Sequence, residues 1–179
     1  VNNGGISQRS FAKDTEIAVD KRLMDINYLG TVGLSKALLP HFIKNKKGQF
    51  VVTTSIVGKI GTPLRSSYAA SKHALHGFFD SLRAEVYEDQ ISVTLVCPGF
   101  VTTNVSKNAL TGDGSPQQTM DKATQNGIAP AHFARLMAKA IQQEKEEVYI
   151  AGFKEKLAVF VKRLYPKLLS KMIRKLSVT

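Results

Sequence analysis

Short β-branched and apolar runs, 49–54 (QFVVTT) and 91–97 (ISVTLVC), alternate with much longer amphipathic stretches. Parallel strands cannot be joined by a tight hairpin, so strands separated by crossover helices are the pattern of a parallel sheet. The run from Ile91 to Cys97 is almost wholly apolar, as a strand covered on both faces must be, and Pro98-Gly99 ends it. The chain is therefore read as α/β.

The remaining elements follow from capping and periodicity. Val1 to Gly4 reads as the end of a strand entering a glycine turn, and Thr15 as the cap of a long helix over 16–44. Ile17, Leu23, Met24, Tyr28, Leu29, Val32, Leu34, Leu38 and Leu39 are expected on its inner side, with Gly30, Gly33 and Pro40 bending it. Ser67 is expected to cap a second helix through Glu85, with Ala70, Leu75, Phe78, Phe79 and Leu82 on its apolar side. The polar stretch 104–127 has the length of a lid or a disordered loop. Pro130 opens a helix to Gln143, a short strand covers 147–150, and a basic segment closes the chain.

Several classes are excluded. No apolar run is long enough for a spanning helix, because the longest uncharged run, 91–106, is interrupted by Cys97-Pro98-Gly99. A single cysteine forms no internal disulfide, and CxxC, HExxH and paired Cys/His spacings are absent, so no metal site is expected. Such cysteine usage fits a reducing, cytoplasmic compartment. The chain opens without Met at Val1-Asn2-Asn3-Gly4-Gly5, as though cut inside a larger domain.

Charge divides the chain. Of the net +11, residues 154–179 carry +7 and the other residues +4. A basic tail on a nearly neutral body suits an attachment surface better than nucleic acid, and the tail has few aromatics to stack on bases. Leu157, Val161, Leu164, Leu168, Met172 and Leu176 form an apolar stripe along it. Two readings stay open: a helix that packs, closes the substrate pocket or makes an oligomer contact, and an interfacial helix on anionic lipid with peripheral membrane association. The domain division is 1–153 for the body and 154–179 for the basic amphipathic tail.

Tyr68 and Lys72 stand four apart and so share one face of their helix. An ammonium beside a phenol lowers its pKa and makes it a usable acid and base near neutrality; a solvated surface pair is the alternative. Ser55 ends one strand, Pro98-Gly99 the next and Asn2-Asn3-Gly4-Gly5 the preceding one. Ligands of open α/β sheets bind outside the carboxyl ends of strands, so these ends and the Tyr68 helix converge on one crevice.

These residues resemble the short-chain dehydrogenase/reductase family. Asn2-Asn3-Gly4-Gly5 is similar to its NNAG segment, and Asn27, Ser55, Tyr68-x-x-x-Lys72 and Pro98-Gly99-Phe100-Val101-Thr102-Thr103 follow in the family's order. The resemblance implies the carboxyl-terminal two thirds of a Rossmann-type doubly wound parallel sheet, with NAD or NADP as cofactor and a carbonyl or alcohol as substrate. It implies that Tyr68 exchanges a proton with the substrate oxygen, that Ser55 holds that oxygen, that Lys72 lowers the Tyr68 pKa and binds the ribose hydroxyls, and that Asn27 binds a relay water. Val101 and Thr103 would contact the nicotinamide carboxamide and the phosphates, beside Pro98 and Gly99, while Asn2, Gly4 and Gly5 would pass behind the cofactor. A homodimer or homotetramer is implied as well.

The family's glycine-rich first turn is missing, and with it the residue that selects NAD or NADP. A catalytically silent scaffold attached through the basic tail is the rival reading. His73 and His76 read as packing or surface residues with no third metal ligand at useful spacing, Ser66 and Ser67 as turn and cap, Cys97 as a small buried hydrophobe, and Asp113 and Asp121 as loop charges.

Overall fold

The computed structural model describes residues 1–174. Helix α1 (Ile17–Met24), a π-helical turn (Asp25–Leu29) and α2 (Gly30–Asn45) run on without a break. They are followed by β1 (Gly48–Thr53), α3 (Ser66–Glu85), β2 (Ile91–Pro98), α4 (Lys122–Gln125), α5 (Pro130–Gln142), β3 (Glu147–Ile150), α6 (Phe153–Leu164) and α7 (Pro166–Ile173).

The strands form a parallel sheet in the order β1-β2-β3, with Phe50 opposite Val93 and Cys97 opposite Tyr149. Beyond β1 the sheet continues into Asn2, which bridges Val52 through Asn2 N–H to the Val51 carbonyl (2.7 Å) and Thr53 N–H to the Asn2 carbonyl (2.9 Å). Because every pairing is parallel, Asn2, Thr53, Pro98 and Ile150 end at one edge of the sheet.

The two-residue period of the strands divides their side chains between two helical layers. Phe50, Val52, Val93 and Leu95 pack with Leu75, Phe79 and Leu82 of α3, and Leu39 and Phe42 of α2 lie against them. Val51, Val96 and Ile150 point the other way, onto Phe133, Met137 and Ile141 of α5. Helices therefore cover both faces, as the apolar β2 run requires.

Local expectations change where long-range partners intervene. Ile17, Leu29, Leu34 and Leu38 are exposed, so the buried side of α1–α2 is narrower than periodicity suggests and rests on Val19, Leu23 and Val32. Ala69, not Ala70, is the buried alanine of α3. Thr15 caps nothing: its hydroxyl donates to the Phe11 carbonyl and Glu16 precedes the helix. Ser67 lies inside α3, which begins at Ser66. Its first free N–H groups, of Ser67 and Tyr68, instead donate to Gln8 Oε1 (2.9 and 3.3 Å). A distant amide thus does the work of a capping residue.

The 104–127 stretch is an ordered loop. Leu110 bridges both Gln8 and Pro116, and the buried Asp121 ties the loop to Arg9. The tail is two helices rather than one, because Pro166 opens α7 after the chain turns at Tyr165. Ala158, Val161, Ile173 and the buried Leu169 pack onto Ile56 and Ile60, whereas Leu157, Leu164, Leu168 and Met172 are exposed. The Leu176 position of the expected stripe lies outside the described residues.

Candidate active site

Ser55 follows β1 and caps the short 3-10 turn Ile56–Gly58, its hydroxyl accepting the Val57 N–H at 3.1 Å. Ser55 and Tyr68 line the same cleft, so the end of β1 and the first turn of α3 meet there. One turn later Lys72 is buried, with Nζ donating to the Thr53 carbonyl at 2.9 Å and lying 5.9 Å from the Tyr68 ring centroid. Ser55, Tyr68 and Lys72 are thus brought together.

The electrostatics differ from the sequence expectation. Burial pushes the Tyr68 phenol above its ordinary value, opposed by the Ser55 hydrogen bond and by the positive charges of Arg65 and Arg9. The Lys72 ammonium is turned to the Thr53 carbonyl, and its own pKa is drawn down to about 8 by burial. Arg65 and Arg9 act on the phenol from outside the Tyr-x-x-x-Lys motif.

Asn27 sits fully buried in the π-helical turn. Its Oδ1 accepts the Ile6 N–H (2.8 Å), and its Nδ2 donates to the Ile6 carbonyl and to Ser71 Oγ (both 3.0 Å). Asn27 therefore ties the first strand end to α3 between Tyr68 and Lys72. A Cβ on Gly5 would stand 3.1 Å from Asn27 Oδ1 and 3.3 Å from Lys72 Nζ, so only glycine leaves this approach open.

Other expected contacts separate into lining and framework. Pro98, Gly99, Val101 and Thr103 line a cleft of about 570 Å³ together with Ser55, Tyr68 and Lys72. Asn2 and Gly4 do not line it; Asn2 is used in the sheet and in a 3.0 Å bond from its Nδ2 to Ser35 Oγ, and Gly4 is exposed. A second cavity, about 430 Å³, lies under α6 and α7 against Ile56, Ile60, Val161 and Leu169. The two cavities share Ser55 and Tyr68 as a common wall.

Sequence reasoning missed Arg9, Arg65 and Asp121. Arg9 Nη2 and Arg65 Nη2 both reach Asp121 Oδ2, at 2.6 and 3.4 Å, and all three side chains are buried. Nothing in their spacing, 9, 65 and 121, could have announced the contact, and Asp121, expected as a loop charge, is a buried and paired one.

Comparison with known proteins gives the family and the fold. The family model described as short chain dehydrogenase matches residues 1–114. The chain belongs to the short-chain dehydrogenase family. Among its curated relatives, dehydrogenase/reductase SDR family member 7B of Xenopus laevis is 48% identical over 168 residues, 94% of this chain and 52% of the relative. A dehydrogenase/reductase SDR family protein 7-like of Drosophila melanogaster is 40% identical over the same shares. The chain thus spans about half the length of the curated relatives it matches. Among solved structures, a short chain dehydrogenase of Burkholderia cenocepacia in complex with NADP superposes with a TM-score of 0.79 at 21% identity, over 96% of this chain and 66% of that one. This likeness establishes the Rossmann-type fold.

One further cluster corrects the expectation that the histidines lack a third potential ligand. His76, Cys97 and Glu147 gather from α3, β2 and β3 with their ligand atoms within 4.8 Å of one another. The imidazole presents Nε2 to Cys97 Sγ at 3.8 Å and Nδ1 to Glu147 Oε2 at 3.5 Å, while Lys59 Nζ holds the same carboxylate oxygen at 2.6 Å. Burial pushes the Cys97 thiol up to about 12, which keeps it protonated and unreactive.

Proposed function

We propose that the chain carries the catalytic part of an NAD- or NADP-dependent oxidoreductase that interconverts a ketone or aldehyde and an alcohol. The observation that carries this reading is the shared wall: one cavity for cofactor and one for substrate meet at Ser55 and Tyr68. The cleft fits a nicotinamide cofactor, because it offers the Lys72 ammonium, the open Gly5 edge and the Thr53 hydroxyl, which is buried with no partner among the described residues. The cofactor supplies or accepts the hydride when bound.

The chain's own residues do the rest. Ser55 holds the substrate oxygen by a hydrogen bond that strengthens as negative charge develops there. Tyr68 gives its proton to that oxygen in reduction and takes it back in oxidation. Lys72 would hold the ribose hydroxyls, with Val101 and Thr103 at the nicotinamide end. Asn27 positions Ile6 and Ser71 around Lys72 and would hold the relay water through which Tyr68 regains its proton. The substrate cavity is walled by Ile56, Ile60, Leu157, Val161, Leu169 and Met172, which favours an apolar carbonyl or alcohol.

The tail takes both roles left open by its sequence. Its inner face closes the substrate cavity, and the exposed Phe160, Leu164 and Leu168, set among lysines, suit an anionic lipid surface. No helix among the described residues is long and apolar enough to cross a membrane. A homodimer or homotetramer is supported by the exposed Ile26, Leu29, Leu34 and Leu38.

Tyr68→Phe in the full-length protein tests the central reading. It should abolish nicotinamide-dependent turnover of apolar ketones and leave cofactor affinity within a few-fold, because a proton is lost and little binding surface. Turnover near wild type in that variant would overturn the assignment. A wild-type protein inert toward such ketones with both cofactors would favour the silent scaffold.

A further inference from the structure

Arg9 and Arg65 come from separate loops and line the substrate cavity together with Tyr68, and both are paired with the buried Asp121 of a third loop. Arg65 directly precedes α3, three residues before Tyr68, and its guanidinium lies 5.5 Å above the Phe100 ring, which also faces the cavity. Arg9 is locked by bonds from Nε and Nη2 to Asp121 and from Nη1 to Ser7 Oγ (2.8 Å) and the Gln8 carbonyl (2.6 Å). Gln8 in turn holds the N–H of Tyr68. Two guanidiniums and one carboxylate are thus fixed around the first turn of the helix that carries the phenol.

Removing these charges from water is costly, and an apolar pair would hold the loops together as well. A phenol that must lose and regain a proton in a buried cavity has a use for them. We propose that the Arg9–Asp121–Arg65 trio sets the protonation balance of Tyr68, the arginines favouring the phenolate and Asp121 moderating them. This rests on the reading of Tyr68 as the proton donor and adds residues outside the Tyr-x-x-x-Lys motif to its control. The other charged and titratable groups around Tyr68 are few. Lys72 is held by Thr53, Asp20 of α1 takes the hydroxyl of Ser67, and Glu155 of α6 accepts the Phe100 N–H at 3.0 Å. Lys154 also borders the cavity. The same positive charges oppose the upward push that burial gives the phenol.

The test uses full-length protein labelled with 13Cζ-tyrosine, with the Tyr68 resonance assigned by its loss in Tyr68→Phe. Its titration reads the phenol directly and needs neither substrate nor cofactor. Arg65→Met should move the midpoint up by about 1 unit, and Asp121→Asn should move it down by about 1 unit. Arg65→Lys, which keeps the charge, should stay near wild type. The acidic limb of the alcohol-oxidation profile, where activity rises as the phenol loses its proton, should shift in the same directions. A merely structural clamp predicts no such opposition: if both neutral variants move the midpoint the same way, or neither moves it, the proposal fails. Should Asp121→Asn not fold, the contrast between Arg65→Met and Arg65→Lys decides, and equal midpoints in those two overturn it. Failure of the Tyr68 reading itself shows separately, as retained turnover in Tyr68→Phe.

Discussion

Two glycines of the first strand end do different work, and only Gly5 stands where the family's NNAG segment has glycine. A Cβ at Gly4 would meet nothing within 4 Å, whereas one at Gly5 would press on Asn27 Oδ1 and Lys72 Nζ. Gly5→Ala should therefore lower the melting temperature and raise the cofactor Kd about tenfold, while Gly4→Ala leaves the melting temperature unchanged. Equal melting temperatures for the two variants would contradict the crowding. At Glu147, burial pushes the carboxyl up, but hydrogen bonds from His76, Lys59 and Tyr149 outweigh it and hold the group down to about 2 from an ordinary 4.5. A depressed carboxyl contributes stability above its unfolded pKa, and that contribution is lost as pH falls from about 4.5 toward 2. Thermal melts across that window should fall more steeply for wild type than for Glu147→Gln. Parallel curves would remove the ion pair from the stability account.

Among elements, the α6–α7 pair shows how one amphipathic segment serves two sides. Leu169 and Val161 face the cavity, and Pro166 lets α7 fold back so that both helices keep an apolar inner side. Truncating the tail would open the pocket, so the outer face is the informative target. Phe160→Ser with Leu168→Ser should abolish co-sedimentation with anionic vesicles and leave turnover intact. Wild-type binding should also weaken with salt, since each basic residue near such a surface is worth about 1 kcal/mol and screening limits its reach to about 8 Å at physiological ionic strength. Vesicle binding that survives the double substitution would reduce α6–α7 to a structural wall.

For the molecule as a whole, Leu34 and Leu38, four residues apart on one side of α2, are both exposed. A second copy is the natural cover for such a face. Sedimentation of the full-length protein should show a dimer or tetramer, and Leu34→Lys with Leu38→Lys should shift it toward monomer. An unaltered sedimentation coefficient would leave that face to another partner.

The sequence by itself determined the parallel α/β plan, the strand ends and the positions of Ser55, Tyr68 and Lys72. These rest on signals carried within a few residues: side-chain period, Pro-Gly breaks and four-residue helical spacing. The tertiary structure alone decided which charges govern Tyr68, what caps α3 and what Asn2 and Asn27 hold. Those answers depend on pairs separated by tens of residues, such as Gln8 with Tyr68 and Arg9 with Asp121. Burial decided the sign of the phenol's shift, because desolvation depends on everything packed around a group and a five-residue motif carries only its nearest charge.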